Sequence, residues 1–472
     1  MTERIPKNIL VVAFVLGPVL LAYLAYSRPG YFTSQLYLGG ILAIEFLVGA
    51  VWMYKRVFFP LVIGAFLLAG VNLPVGHFWG ALRWVFLCVG ALTGAFLILR
   101  ERRHQFGLFH MIAAFAVLAT LVSASVSQFK QVAFLKALSF ALLFLYGSTG
   151  ARLAVTGREN RFFTGLLAGT ECFVAAMGVF YAIGIGAMGN PNSLGAVMGV
   201  VAAPILFWGA LLEEPPSIHG RRLVLYGLCM YLTFHSHARA GMAAALASTA
   251  LLCFALRQYK VIVAGVGMVV ILVAAGWILE PTAMSNTFSA LQMSVIYKGS
   301  SEGSLLASRQ SPWQAAIDGI RGHLWFGTGL GTAENSNDPR EHTGMFASST
   351  VVTTENGSSY LSVMAGVGIF GVIPFALLLL LLVGKVVRTT VWLRRSGNAC
   401  HPAAPLAMVM VAGLIHAGFE DWLFAPGYYL CVMFWSLAFV LVDLAPSTVP
   451  FPGFAWRSRP AQRGFIDLPA SR

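Results

Sequence analysis

The feature that most constrains this chain is a succession of apolar runs, each about 20 residues long, separated by short polar links. An α-helix rises about 1.5 Å per residue, so about 20 residues cross the roughly 30 Å hydrocarbon core of a bilayer. Such runs lie near residues 8–26, 35–54, 57–74, 78–99, 108–126, 132–151, 162–186 and 192–212. Others follow near 222–235, the shortest, and near 239–256, 260–279, 358–384, 404–420 and 424–444. They are continuously apolar, without the period-two alternation an outer-membrane barrel needs. The expected fold is all-α, a polytopic transmembrane helical bundle of about 12–14 spans. Composition agrees: 58% of the 472 residues are hydrophobic and 10% are charged, against about 25% charged in soluble domains.

The net charge of +13 would suggest nucleic acid as a partner if the basic residues formed one patch. Instead they collect in alternate links, as the positive-inside rule requires. With a cytoplasmic N-terminus, 22 of the 31 Lys and Arg residues fall on the inner side, among them Lys55, Arg56, Arg152, Arg221, Arg222, Lys385, Arg388, Arg394 and Arg395. Topology thus accounts for the high pI, and no nucleic-acid partner is expected. Both termini are expected on the cytoplasmic side of the membrane. The first run is expected to be a retained helix, since it is near full span length and lacks an A-x-A-like cleavage pattern. The organisation expected is N-terminal spans over 1–279, a large periplasmic loop over 280–357, C-terminal spans over 358–445 and a cytoplasmic tail over 446–472.

Six cysteines are scattered without the spacing of a zinc site or redox pair, so neither metal, disulfide nor other cofactor is expected. The long loop is the natural place for function. Within it Ser311 and Pro312 have the character of an N-cap and first helical residue. Trp313, Ala316, Ile317 and Ile320 then recur on one helical face, which predicts a short amphipathic helix lying on the membrane surface.

Once the topology is imposed, polar residues gather at the outer level. Asn190 and Asn192 lie in the turn Gly189 to Ser193, and His237 and Arg239 in the turn His235 to Arg239. Arg83 and Lys136 stand about one turn inside their spans, where a buried cation is costly unless it snorkels or pairs. His416, Glu420 and Asp421 end the thirteenth span on the same side. Arginines at a membrane surface suit a ligand with a diphosphate head and a lipid tail. Guanidinium offers a permanently charged planar fork matched to phosphate oxygens, and it stabilises charge on a departing diphosphate.

Four segments carry a family resemblance: GAMGNPNSLGAVMG (186–199), SHARAG (236–241), SRQSPWQAAIDGIRGHLWFGTGLGT (308–332) and ENGSSYLSVMAGVGIFG (355–371). In order and placement they resemble the O-antigen ligase and O-antigen polymerase superfamily of bacterial envelope glycosyltransferases. The resemblance implies an inverting, metal-independent transfer on the periplasmic face in lipopolysaccharide or related glycan assembly. The donor would be an undecaprenyl diphosphate-linked glycan and the acceptor lipid A core or another sugar, with membrane lipids around both. It also implies arginines on the diphosphate, and the candidate diphosphate or substrate contacts are Arg239, Arg309, Arg321, His237, Asn190, Asn192, Arg83 and Tyr360.

Ligases similar to this chain usually carry a His-Asn-like pair eleven residues before the first glycine of G-x-x-G. Counting back from Gly368 gives Gly357, so the usual histidine is absent. Glu355 lies two residues earlier and ranks first as the general base. His342, His323, and His416 with Glu420 are the alternatives. This departure leaves ligase and polymerase both open. An alternative of a different class, a transporter of lipid-linked glycan or anion, rests on Glu45 and Glu171 near mid-membrane. Gly327 to Gly331 resembles a phosphate-cradling loop, but no strand precedes it, and a flexible turn is expected.

Overall fold

The computed structural model describes residues 45–71, 76–101, 106–188, 190–212, 215–282, 307–332 and 357–446, with isolated positions elsewhere. Among them the structure is helical, without strands. The helices are α1 (Tyr54–Gly70), α2 (Gly76–Glu101), α3 (Leu108–Val126), α4 (Lys130–Val155), α5 (Glu159–Ala182), α6 (Pro191–Ala210) and α7 (Pro216–His235). They continue with α8 (Arg239–Ala255), α9 (Tyr259–Leu279), α10 (Ala307–Gly322), α11 (Ser359–Ser396), α12 (Ala403–Ala417) and α13 (Tyr429–Leu444). Seven of these, α2 to α6, α9 and α11, are long and apolar enough to cross a membrane, and α8, α12 and α13 are shorter apolar helices. The chain is a polytopic helical membrane protein. The expected first span and the tail lie outside the described residues, as does most of the second span, of which 45–52 is helical.

The chain divides into a small unit, residues 1–58, and a main unit, residues 59–472. In the small unit the Tyr54 and Phe58 rings stack at 4.8 Å, and Glu45 is exposed.

In the main unit α6, α8, α12 and α13 form the centre, with Trp208, Phe434, Trp435 and Phe439 fully buried. Glycines let these helices approach. A Cβ at Gly199 of α6 would collide with the Gly241 carbonyl of α8, and one at Gly241 would lie 2.5 Å from the Gly195 carbonyl oxygen. Two helices widen into π turns beside this centre, α4 at Gly147–Ala151 and α6 at Met198–Ala202. At the periphery α9 carries no charge beyond its first turn and leaves Val263, Val266, Ile271 and Ile278 exposed. A helix apolar on every side and bare in the protein is matched to lipid rather than water.

Arginines assigned by sequence to inner links are held in two separate sets of ion pairs. Arg152, 3% exposed, holds Asp443 through Nε at 2.6 Å and Nη2 at 3.0 Å. Glu171, expected as a mid-membrane relay candidate, is held by Arg221 at 2.7 Å and Arg222 at 3.0 Å. Arg222 also donates to the Gly209 carbonyl at 2.9 Å. Two guanidiniums fix Glu171 as a packing anion, which removes one support for a transporter.

Candidate functional site

The four motif segments converge, and local chemistry explains how each is held. The α6 segment begins with Asn190 as N-cap, its side-chain oxygen accepting from the Asn192 N–H at 2.9 Å, with Pro191 in the first turn. One turn on, Gly195 leaves room for the Ser236 to Ala238 turn, since a Cβ there would overlap the Ser236 hydroxyl and Ala238 Cβ. That turn is tight: Ser236 Oγ donates to the Thr233 carbonyl at 2.7 Å, and His237 is held at φ 52°. A non-glycine residue in this region carries local strain, a common mark of functional turns. Arg239 follows as the first residue of α8, so the glycines of one motif seat the arginine of the next.

The third and fourth segments are joined differently. The α10 helix begins at Ala307, one turn before the expected Ser311 cap, and Pro312 lies inside it. Its predicted apolar face is real, with Ala316 and Ile320 buried, but that face packs on α11 rather than serving a membrane surface. Trp313 Nε1 donates to the Gly357 carbonyl at 3.2 Å just before α11 begins. Gly357 has φ +64°, and a Cβ there would lie 3.3 Å from Arg309 Nη1. Arg309 in turn pairs with Glu420.

Beyond α10 the chain doubles back along α11. The Thr328 and Gly329 N–H groups donate to the Ala365 and Gly366 carbonyls at 3.0 and 2.9 Å, and the Ile369 N–H donates to the Leu324 carbonyl at 2.9 Å. This pairing requires a break in α11, supplied by Gly368 at φ 67°, where any Cβ would strike the Trp325 carbonyl. Gly327 to Gly331 is therefore a fixed backbone splice and not the flexible turn expected. Ser127 Oγ donates to the Thr328 carbonyl and Lys136 Nζ to the Gly331 carbonyl, both at 2.5 Å, which ties the splice to α3 and α4.

Ser359, fully buried at the start of α11, is an anchor that sequence reasoning missed. Its hydroxyl donates to the Glu420 carbonyl at 2.7 Å and accepts from the Trp422 and Leu423 N–H groups, both at 3.0 Å. The Ser358-Ser359 doublet at a span start was its only signal.

The expected site residues thus separate. The Arg309 charge is felt electrostatically at Arg239, after the larger effect of Arg239's own burial. Glu420 faces the same place from the end of α12. Tyr360 spends its hydroxyl on the Leu414 carbonyl at 2.7 Å, tying α11 to α12. Arg83 donates to the Gly427 carbonyl at 2.8 Å and lies 5.3 Å from the Trp84 ring centroid, a bracing role. Arg321 pairs with Asp318 at 3.3 Å on the exposed side of α10. His237 is exposed on its turn. His416 is 2% exposed, its Nδ1 accepting from Trp422 Nε1 at 2.7 Å. Glu355 and His342 lie outside the described residues.

A comparison with curated proteins finds no match. Residues 223–376, which hold Arg239, α10, the backbone splice and the start of α11, match the family model described as O-Antigen ligase, and this supports the chain's place in the O-antigen ligase-like superfamily.

Proposed function

We propose that this protein is a periplasm-facing glycosyltransferase of the ligase type. It moves a glycan from undecaprenyl diphosphate to lipid A core or another sugar acceptor, in the inner membrane with both termini cytoplasmic. The family match supports an O-antigen ligase or polymerase-type membrane glycosyltransferase. The observation that carries the finer reading is that Arg309, paired with Glu420 and set against Gly357, lies within electrostatic range of Arg239 from a second motif segment. Such a pair suits a diphosphate more than a neutral sugar.

In this reading the two arginines hold the diphosphate while an acceptor hydroxyl attacks the anomeric carbon from the opposite face. The new glycosidic bond forms as the bond to the phosphate oxygen breaks, and the electron pair leaves with the lipid diphosphate. The arginines stabilise that charge, and the hydroxyl proton passes to a general base. Glu355 is the proposed base. It lies two residues ahead of Gly357 in the sequence, where a Cβ would lie 3.3 Å from Arg309 Nη1. Asn190 and Asn192 stand at the entrance turn of α6, with His237 across from them on the α8 side.

The test is transfer by purified protein in detergent. Arg239→Ala and Arg309→Ala are each expected to lower transfer by at least about 100-fold while the protein still inserts and folds. Wild-type rates in both would remove the clamp. Full activity in Glu355→Ala would remove that residue as base.

A further inference from the structure

Arg309 does not face the site unaccompanied. Its Nη2 donates to Glu420 Oε1, and the two side chains are only 18% and 23% exposed. The Glu420 backbone is fixed, because its carbonyl accepts from both the Ser359 N–H at 3.2 Å and the Ser359 hydroxyl at 2.7 Å. On its other side Arg309 backs onto Gly357, whose carbonyl is held by Trp313. The backbone on both sides is therefore braced, and the Arg309–Glu420 contact itself is made side chain to side chain. Any anion that takes Arg309 must share it with, or displace, this resident carboxylate.

We propose that Glu420 is an exchangeable counter-anion for Arg309, whose return to the guanidinium expels the spent lipid diphosphate and so sets product release. This rests on the diphosphate clamp proposed above. Before transfer the diphosphate is esterified at both ends; afterwards one end is free and carries additional negative charge near neutral pH. The product therefore grips the arginines more tightly than the donor did, which would stall the site after one turnover. A carboxylate tethered beside Arg309 competes at high effective concentration without being consumed. It weakens donor and product binding together, and the kinetic gain falls on release, the step the extra charge retards.

The experiment uses the full chain in detergent with undecaprenyl diphosphate, carrying no glycan, as the probe. Removing a competing charged hydrogen bond is expected to tighten its binding to Glu420→Gln roughly tenfold relative to wild type. Glu420→Gln should also show a first turnover followed by a slower steady state. Glu420→Asp keeps the charge but shortens the reach, and is expected to bind roughly two- to fivefold tighter than wild type. It serves as the test if Glu420→Gln fails to fold. Equal or weaker binding by a folded variant overturns the proposal. Arg309→Ala separates the two levels. If it abolishes probe binding while Glu420→Gln leaves binding unchanged, the clamp stands and the counter-anion fails. If Arg309→Ala binds normally, the clamp itself fails and the counter-anion with it.

Discussion

Ser359→Ala gives a worked test of how the site is held. The hydroxyl is fully buried, donates one hydrogen bond and accepts two, from the Trp422 and Leu423 N–H groups. Without it the Glu420 carbonyl keeps the Ser359 N–H at 3.2 Å, but the two other N–H groups lose their acceptor. A buried donor left unsatisfied costs about 1–3 kcal/mol, so the substitution should destabilise by about 2–4 kcal/mol after partial relaxation. Unfolding in mixed SDS and detergent micelles, followed by tryptophan fluorescence, measures this directly. Ser125→Ala is the control: that hydroxyl is exposed and bonds only within its own helix at 2.7 Å, so a change within about 0.5 kcal/mol is expected. Because the same anchor fixes Glu420 against Arg309, transfer by Ser359→Ala should fall even under conditions where the protein stays folded. A loss below about 1 kcal/mol, or wild-type transfer, would refute the view that one hydroxyl joins α11 to the segment after α12.

Three further outcomes follow from the same structure. Gly368→Ala should cost at least about 2 kcal/mol and reduce transfer, since it combines a positive φ with a backbone collision at Trp325; the same micelle unfolding measures it. Arg152→Ala leaves Asp443 without its bidentate partner, and because the Asp443 side chain is 31% exposed the loss should be about 2 kcal/mol, below the 3–5 of a fully buried pair. That change lies at the opposite end of the bundle from Arg309, so transfer per folded molecule should be unchanged. Arg239→Ala and Arg309→Ala should both lose transfer, Arg239→Ala with little change in stability and Arg309→Ala at a cost of about 1–2 kcal/mol, because it takes the guanidinium from the part-buried Glu420 carboxylate.

The helices from α1 onward were legible because a bilayer-length apolar run admits few other structures. Residues assigned to inner links, such as Arg152 and Arg222, are held in ion pairs whose carboxylate partners the sequence did not reveal. What the sequence concealed are contacts between distant segments. Nothing local marks Arg309 and Glu420, 111 positions apart, as partners. Nor do Gly327 and Gly329 announce that they lie against residues 365–366, or Gly331 that it lies against Lys136; their spacing fits a phosphate loop equally well. The start of α10 was misplaced because Ser311-Pro312 imitates a helix cap, while the packing of Ala316, Ile320 and Trp313 on the α11 segment holds the helix together across the proline. Glu171 invited a relay role by its depth, and only the structure places Arg221 and Arg222 against it.

The most direct measurement is transfer itself. Purified protein in detergent would be given undecaprenyl diphosphate-linked oligosaccharide with either lipid A core or free oligosaccharide, and both the released lipid diphosphate and the lengthened acceptor would be counted. Detergent removes sidedness, so only chemistry registers. The account predicts equal amounts of the two products, with lipid A core as the acceptor, and loss of both in Arg309→Ala. Growth of the lipid-linked glycan instead would identify a polymerase on the same clamp. No product from folded protein, together with flux of the lipid-linked glycan in liposomes, would contradict the glycosyltransferase reading and leave a transporter.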